Sequence, residues 1–449
     1  MKAIILAAGK GKRMQSDLQK VMHPVLGKPI VQYVVEAARD AGFDDVTVVV
    51  GKDGEEIKVG LKNCGGLFFA VQDEPLGTGH AVQAGSERIK DDDDVLVLCG
   101  DMPLVTGEFI KEFMASRSKE KAEAVVCAVY RENVGDFGSV YDTDGEFVEI
   151  VEAKDITEKH ATTTWANTGI YLFKGASLLR GLKKLKNENS QGEYYLTDVP
   201  KILKDEGASV RVFHSYADMS VFTGINTQIH LAEAVGHMRA RINARHMMNG
   251  VRMVDPASVF IDDSVKISRG AVIYPGVILE GFCEIKENAV IVNSHLKDTI
   301  VRANASVRNS IADGAVVGAG TNVGPFAYLR PGALIGERCR IGNFVEVKNA
   351  TIGDGTAMAH LAYIGDADVG CGVNFSCGAI TANYDGKEKH RTTIGDGAFI
   401  GSNSNLVAPV NIGENAVVAA GSTITDDVPS CALGIARERQ IVKLNRYKN

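Results

Sequence analysis

The chain has 449 residues, 45% of them hydrophobic and 23% charged, with a formal net charge of −7 at pH 7. That length exceeds one ordinary core and predicts two domains, while the acidic balance argues against a general nucleic-acid binder. The N-terminal apolar run, residues 3–8, is too short for a signal peptide or a membrane span. The eight cysteines form no CxxC pair, so they read as reduced thiols of a soluble cytoplasmic protein, with neither disulfides nor a zinc site.

Residues 1–225 alternate apolar strand-like runs, at 3–6, 46–50, 67–71, 95–98 and 124–129, with helical spacing such as that of 30–41. This is the pattern of an α/β domain with a mostly parallel sheet. Such sheets bind ligands at the carboxyl ends of their strands. The first run empties into Leu6-Ala7-Ala8-Gly9-Lys10-Gly11-Lys12-Arg13-Met14. Small residues there let backbone amides approach a phosphate, and Arg13 and Lys20 supply charge. It is not a Walker loop, since GxxxxGK[ST] is absent.

The string LAAGKGKRM, with Lys20 ahead of Val21-Met22-His23 and then Gly27-Lys28-Pro29, resembles the nucleotidyltransferases that make nucleotide sugars from a nucleoside triphosphate and a sugar phosphate. Gln19 stands where that family has proline. The loop from Gln72 through Gly77 and Thr78 to Ala81 resembles the family's base-reading loop, with the Gln72 amide able to meet a uracil edge. The next strand delivers Cys99-Gly100-Asp101, with Cys99 in place of the usual tyrosine. The resemblance implies Mg²⁺ on Asp101 and Asn226, Arg13 and Lys20 as catalytic cations, and UTP on Leu6, Ala7, Ala8, Gly9 and Lys20. It places the sugar beside Gly138, Glu152 and Asn167, with Glu193, Tyr195 and Thr197 nearby; Asp136-Phe137-Gly138 replaces a Gly-Tyr-Gly-Arg form.

Residues 226–250 read as a linker helix, with Ile229, Ala232, Val235 and Met238 on one face and Gly250 as its stop. From 251 to 449 the aliphatic residues recur every six positions, from Ile261 to Ile291, from Ile311 to Val347, and on to Ile424. A period of six fits neither helix nor plain alternation; it fits short strands that turn a corner each time, three to a triangular coil. This resembles the left-handed parallel β-helix of the hexapeptide-repeat acyltransferases. The expected fold is therefore a Rossmann-like α/β nucleotidyltransferase domain followed by a left-handed parallel β-helix.

Three stretches break the hexads: 325–332, 342–349 and 360–366. With their order along the chain they are similar to the acetyltransferase half of the bacterial bifunctional enzymes that make UDP-N-acetylglucosamine. That resemblance implies His360 as general base, and Arg330, Lys348, Tyr363 and Asn374 on glucosamine-1-phosphate. Lys389, in the inserted loop 383–389, would reach a neighbouring subunit's site. Cys377, Asn383, Tyr384, Ser402, Ala420 and Arg437 would line the acetyl-coenzyme A crevice; Ser376-Cys377-Gly378-Ala379 departs from a Gly-Ala-Gly-Thr form. It also implies a homotrimer without nucleic-acid or membrane partners, serving peptidoglycan and lipopolysaccharide synthesis. Two rival readings are a single-activity sugar-1-phosphate nucleotidyltransferase with a non-catalytic β-helix, and a non-enzymatic regulatory subunit.

Overall fold

The computed structural model describes residues 1–135, 137–157, 160, 162–444 and 446; Asp136 lies outside them. The chain divides into two compact units, Met1–Met238 and Arg239–Asn449.

In the first unit a nine-stranded sheet runs in the order Leu67–Gln72, Asp45–Gly51, Lys2–Leu6, Asp94–Cys99, Trp165–Lys174, Ala124–Tyr130, Val210–Ser215, Glu146–Val151, Ser139–Thr143. The first four strands are parallel, whereas Trp165–Lys174 is antiparallel to both neighbours. Alternation sorts the side chains to two faces. Ile5, Val48 and Leu98 join one buried cluster, and Ile4, Val49 and Val97 the other. A sheet covered on both faces needs continuous aliphatic runs, which is what the sequence supplies. Helix Ile30–Asp40 buries Val31, Val34, Val35 and Ala38 on the first face, and Gly42, at φ 95°, ends it.

The helix Gln228–Met248 stops at Gly250, whose φ of 87° is the left-handed exit expected of a glycine. Its buried stripe differs from the expected one. Ala234, Met238, Ile242, Asn243 and His246 are buried, while Ile229 is 70% exposed. Apolarity alone misplaced the stripe because two of its members are polar. The Asn243 amide donates to the carbonyls of Pro256 (2.8 Å) and Val259 (3.0 Å).

His246 Nε2 has no hydrogen-bond partner among the described residues. Burial, followed by the charge on Arg245, pushes its pKa from 6.5 down to about 4. A histidine held neutral in the fold but protonated when unfolded stabilises above pH 6.5, and that stability is lost as pH falls towards 4. The expected loss is of order 3 kcal/mol across that window. Thermal unfolding at pH 7 and pH 4.5 should show it, and His246→Leu should reduce the difference.

The second unit winds into three parallel ladders. One carries Ile273, Ile291, Val307, Val323, Ile341, Met358, Phe375, Ile400 and Val418. The next carries Ile261, Leu279, Leu296, Ala312, Leu329, Val347 and Ile364. The third carries Ile267, Ile285, Val301, Val317, Ile335, Ile352, Val369, Ile394 and Ile412. All of these inward side chains are buried. The left-handed corners between faces fall on Asn288, Asn293, Asn304, Asn309 and Asn349, among others, because asparagine tolerates positive φ better than most residues.

One part of the expected register is corrected. Ile311 is 50% exposed, and Ala312 fills the interior in its place. Coils here are shorter: Ile261 pairs with Leu279, eighteen residues on, but Leu296 pairs with Ala312 and Val301 with Val317, sixteen on. Corners two residues tighter per coil shift the inward position, so strict six-residue counting lands on the outward neighbour. Ile400→Ala should therefore destabilise this unit by about 2–5 kcal/mol, and Ile311→Ala by under about 0.5 kcal/mol, read from denaturant midpoints. The opposite ranking would restore the simple register.

Candidate active sites

Parallel register brings the carboxyl ends of four strands together, with Leu6 beside Val49 and Cys99, and Gly51 beside Gln72. The Gly100 N–H donates to the Leu6 carbonyl at 2.8 Å, and Ala7 N–H to that of Val49 at 2.8 Å, so the glycine-rich loop leaves the sheet at a fixed angle. It walls a cleft of about 600 Å³ whose lining includes Leu6, Ala7, Ala8, Gly9, Gln72, Gly77, Thr78, Cys99 and Asp101. Nearly all the residues expected to hold the nucleotide are thus assembled. Arg13, on the turn Lys12–Met14, is not among the lining residues, whereas Lys10 and Lys12 are; all three side chains are exposed.

Lys20 Nζ lies 2.6 Å from Asp101 Oδ2 and 3.1 Å from Asn226 Oδ1. Three residues far apart in sequence therefore meet at one point of positive charge. The Ile225 N–H donates to the Asp101 carbonyl at 3.0 Å. A Cβ on Gly224 would sit 2.9 Å from the Asp101 carboxylate, so a bare backbone is what lets Asn226 approach. Burial, with Asp101 beside it, pushes the Cys99 thiol up to about 12, leaving a neutral lining group in the tyrosine's position.

The loop from Gln72 to Thr78 is equally fixed. The Gln72 amide, buried, donates to the Gly77 carbonyl at 3.1 Å. Gly77 has φ 112°, and a Cβ there would meet the Tyr194 carbonyl at 2.5 Å. Thr78 Oγ1 accepts the Leu196 N–H at 3.1 Å, which ties this loop to the stretch carrying Glu193, Tyr195 and Thr197.

Gly138, Glu152 and Asn167 form a second group. The Asn167 N–H donates to the Gly138 carbonyl at 2.8 Å, and a Cβ on Gly138 would lie 3.4 Å from Glu152 Oε2. Thr197 donates to Glu152 at 3.1 Å, yet burial, reinforced by Asp155 and Asp198, still raises the Glu152 pKa. Tyr171, unnoticed in the sequence, holds Asn167 through a hydroxyl–amide pair at 2.7 Å.

In the second unit His360 pairs across the ladder with Asn343, and His360 Nδ1 lies 3.0 Å from Asn343 Oδ1. The same corner continues coil by coil. Met358 pairs with Phe375, Phe375 with Ile400 and Ile400 with Val418, which stacks His360, Cys377, Ser402 and Ala420 in one column. The Asn403 N–H donates to the Cys377 carbonyl (2.9 Å) and Gly421 N–H to that of Ser402 (2.8 Å). Arg437 closes the column with a 2.8 Å bond to the Ala420 carbonyl. Asn343 was legible in principle, since it lies one seventeen-residue coil before His360.

Around the edge, Arg330 pairs with Glu346 at 2.8 Å, and Glu346 stands beside Tyr363 in the ladder. Lys348 Nζ is 3.9 Å from Asp366, and Asn374 is exposed on the adjoining face. Asn383, buried, donates to Asp366; Tyr384 is exposed and bridged to Lys389. Within a single chain Lys389 already stands beside Lys348, and its proximity, then burial, lowers the Lys348 pKa. The inserted loop is tied by Asp385, which accepts the N–H groups of Lys387 and Glu388 and lies 2.8 Å from His390 Nε2.

Among the described residues no helix is long and apolar enough to cross a membrane. The chain matches the MobA-like NTP transferase domain over residues 3–198, the bacterial transferase hexapeptide over 314–349 and the hexapeptide repeat of succinyl-transferase over 391–426. It is 46% identical to the bifunctional protein GlmU of Geobacillus sp. (strain WCH70), covering 99% of this chain and 96% of that one. It is 44% identical to those of Clostridium novyi (strain NT), over 98% and 96%, and Brevibacillus brevis (strain 47 / JCM 6285 / NBRC 100599), over 100% and 97%. Matches that span both units at this level support neither single-activity nor non-enzymatic readings. With a cleft at the carboxyl ends of the parallel strands in one unit and a corner column through His360 in the other, the chain belongs to the GlmU family of bifunctional enzymes, a uridylyltransferase and an acetyltransferase on one polypeptide.

Proposed function

We propose that the second unit acetylates glucosamine-1-phosphate with acetyl-coenzyme A and that the first transfers UMP from UTP to the product, with the residues above in defined roles. The observation that carries this is the corner column in which Cys377, Ser402 and Ala420 follow His360 coil by coil, with His360 Nδ1 3.0 Å from Asn343 Oδ1. His360 takes a proton from the sugar amine as it attacks the thioester, and coenzyme A leaves as the thiol. Asn343 holds Nδ1, which leaves Nε2 as the accepting nitrogen. Arg330, Lys348, Tyr363 and Asn374 grip the sugar phosphate.

In the cleft, the N-acetylglucosamine-1-phosphate oxygen attacks the α-phosphorus of UTP in line and pyrophosphate leaves. Gln72 and Gly77 read the base, Glu152, Asn167 and Gly138 orient the sugar, and Lys20 meets the phosphates. Asp101 and Asn226 would hold Mg²⁺. Their oxygens converge on a single ammonium, the arrangement that suits a hard cation needing few protein oxygens. Bound there, the ion would neutralise charge on the triphosphate. A cytoplasmic homotrimer, with coenzyme A between neighbouring prisms, completes the reading, and sedimentation tests its mass. The decisive experiment incubates the chain with glucosamine-1-phosphate, acetyl-coenzyme A, UTP and Mg²⁺ and weighs the product. UDP-N-acetylglucosamine supports the proposal; absence of free coenzyme A overturns it.

A further inference from the structure

We propose that Asp366 is a positioning residue that ties the sugar-phosphate pocket to the coenzyme crevice by holding Lys348 and Asn383 on one carboxylate. The proposal rests on the roles given to those two residues above. Asp366 is buried, and both its oxygens are engaged. Oδ1 accepts the Asn349 amide at 2.5 Å; Oδ2 accepts the Asn383 amide and faces Lys348 Nζ at 3.9 Å. Its backbone is equally committed, with its N–H on the Lys348 carbonyl (3.0 Å) and its carbonyl taking the Thr392 N–H (3.1 Å). The carboxylate therefore sits between the strand bearing Lys348 and the root of the inserted loop, where Asn383 accepts the His390 N–H at 2.8 Å.

A structural corner residue would not need to be charged. Asp366 has φ 49°, and the corner one coil earlier is Asn349, at φ 43°. An amide would fill that corner, and the acid appears where two ammonium groups, Lys348 and Lys389, crowd together. Burial opposes its charge, but the Asn349 and Asn383 bonds and the two lysines outweigh it and hold the carboxyl below its ordinary range. The other charges facing the cluster are Arg330, which adds to the repulsion on Lys348, and Arg391, which is bound by Asp368. Removing the carboxylate leaves Lys348 and Lys389 without a counter-charge, so the pair gives up a proton at lower pH and the grip on phosphate weakens there.

The test is Asp366→Asn in the full-length enzyme, a substitution that keeps volume and tolerates the left-handed corner. We expect the KM for glucosamine-1-phosphate to rise about tenfold, as for loss of one charged contact, and the alkaline limb of its kcat/KM to move to lower pH. The KM for acetyl-coenzyme A should rise several-fold, with kcat nearly unchanged and uridylyl transfer unaffected. In an Asn383→Ala background the acetyl-coenzyme A effect should vanish, since the two act as one unit. Asp366→Glu, which restores the charge one methylene further out, should recover the alkaline limb and serves if the amide variant folds poorly. Unmoved KM values and pH limb in folded variants, or fully additive effects with Asn383→Ala, would overturn this proposal alone. A wild-type chain unable to acetylate the sugar would overturn the reading it rests on.

Discussion

Replacing His360 with alanine lowers acetyl transfer to glucosamine-1-phosphate by about 10²- to 10⁴-fold, the contribution of a positioned general base, and leaves uridylyl transfer to N-acetylglucosamine-1-phosphate intact. The effect should fall on kcat rather than on either KM. The ring stands out from the corner, held through Nδ1 by Asn343, and no buried contact is lost on truncation. Folding should therefore be unchanged, and a coenzyme A release assay alongside a pyrophosphate assay separates the outcomes. Equal loss of both activities with the fold intact would place His360 outside the chemistry. Asn343→Ala is the natural companion: it keeps the imidazole but frees its tautomer and orientation.

Asp101→Ala produces the mirror result. Uridylyl transfer falls by about 10²- to 10³-fold, the scale for removing one preorganised electrostatic group at a phosphoryl-transfer centre, while acetyl transfer persists. The loss should exceed that of a simple binding residue. Asp101 both faces Lys20 Nζ at 2.6 Å and, under the proposed role, supplies an oxygen to Mg²⁺. Removing it leaves a partly buried ammonium without its counter-charge. If raising Mg²⁺ fails to recover any activity in Asp101→Asn, the metal role is weakened while the charge-pair role survives.

Much of this molecule is legible along the chain because its elements have distinctive periods. Continuous aliphatic runs mark the doubly covered strands, and a six-residue repeat is unlike helix or sheet alternation, so both units follow from local pattern. The register was less secure where coils shortened: Ile311 keeps the period but Ala312 lies inside, because corner length is a property of the closed coil. The helix Gln228–Met248 misled for a related reason, its buried face including Asn243 and His246, which no hydropathy pattern counts as core.

Motif strings single out as candidates the glycine-rich loop, Gln72 and Asp101, which the fold brings to one cleft, and His360, because backbone approach, charge and order along the chain are written in residue types. Which loop cations border the cleft is not written there: Lys10 and Lys12 do so and Arg13 does not. Nor does sequence separation reveal that Lys20, Asp101 and Asn226 meet at one point, or that one carboxylate at Asp366 meets Asn349, Asn383 and Lys348. Those facts depend on where strand register and coil length bring distant side chains. Local periodicity specifies the walls, and only their closure in three dimensions decides which polar atoms face each other across them.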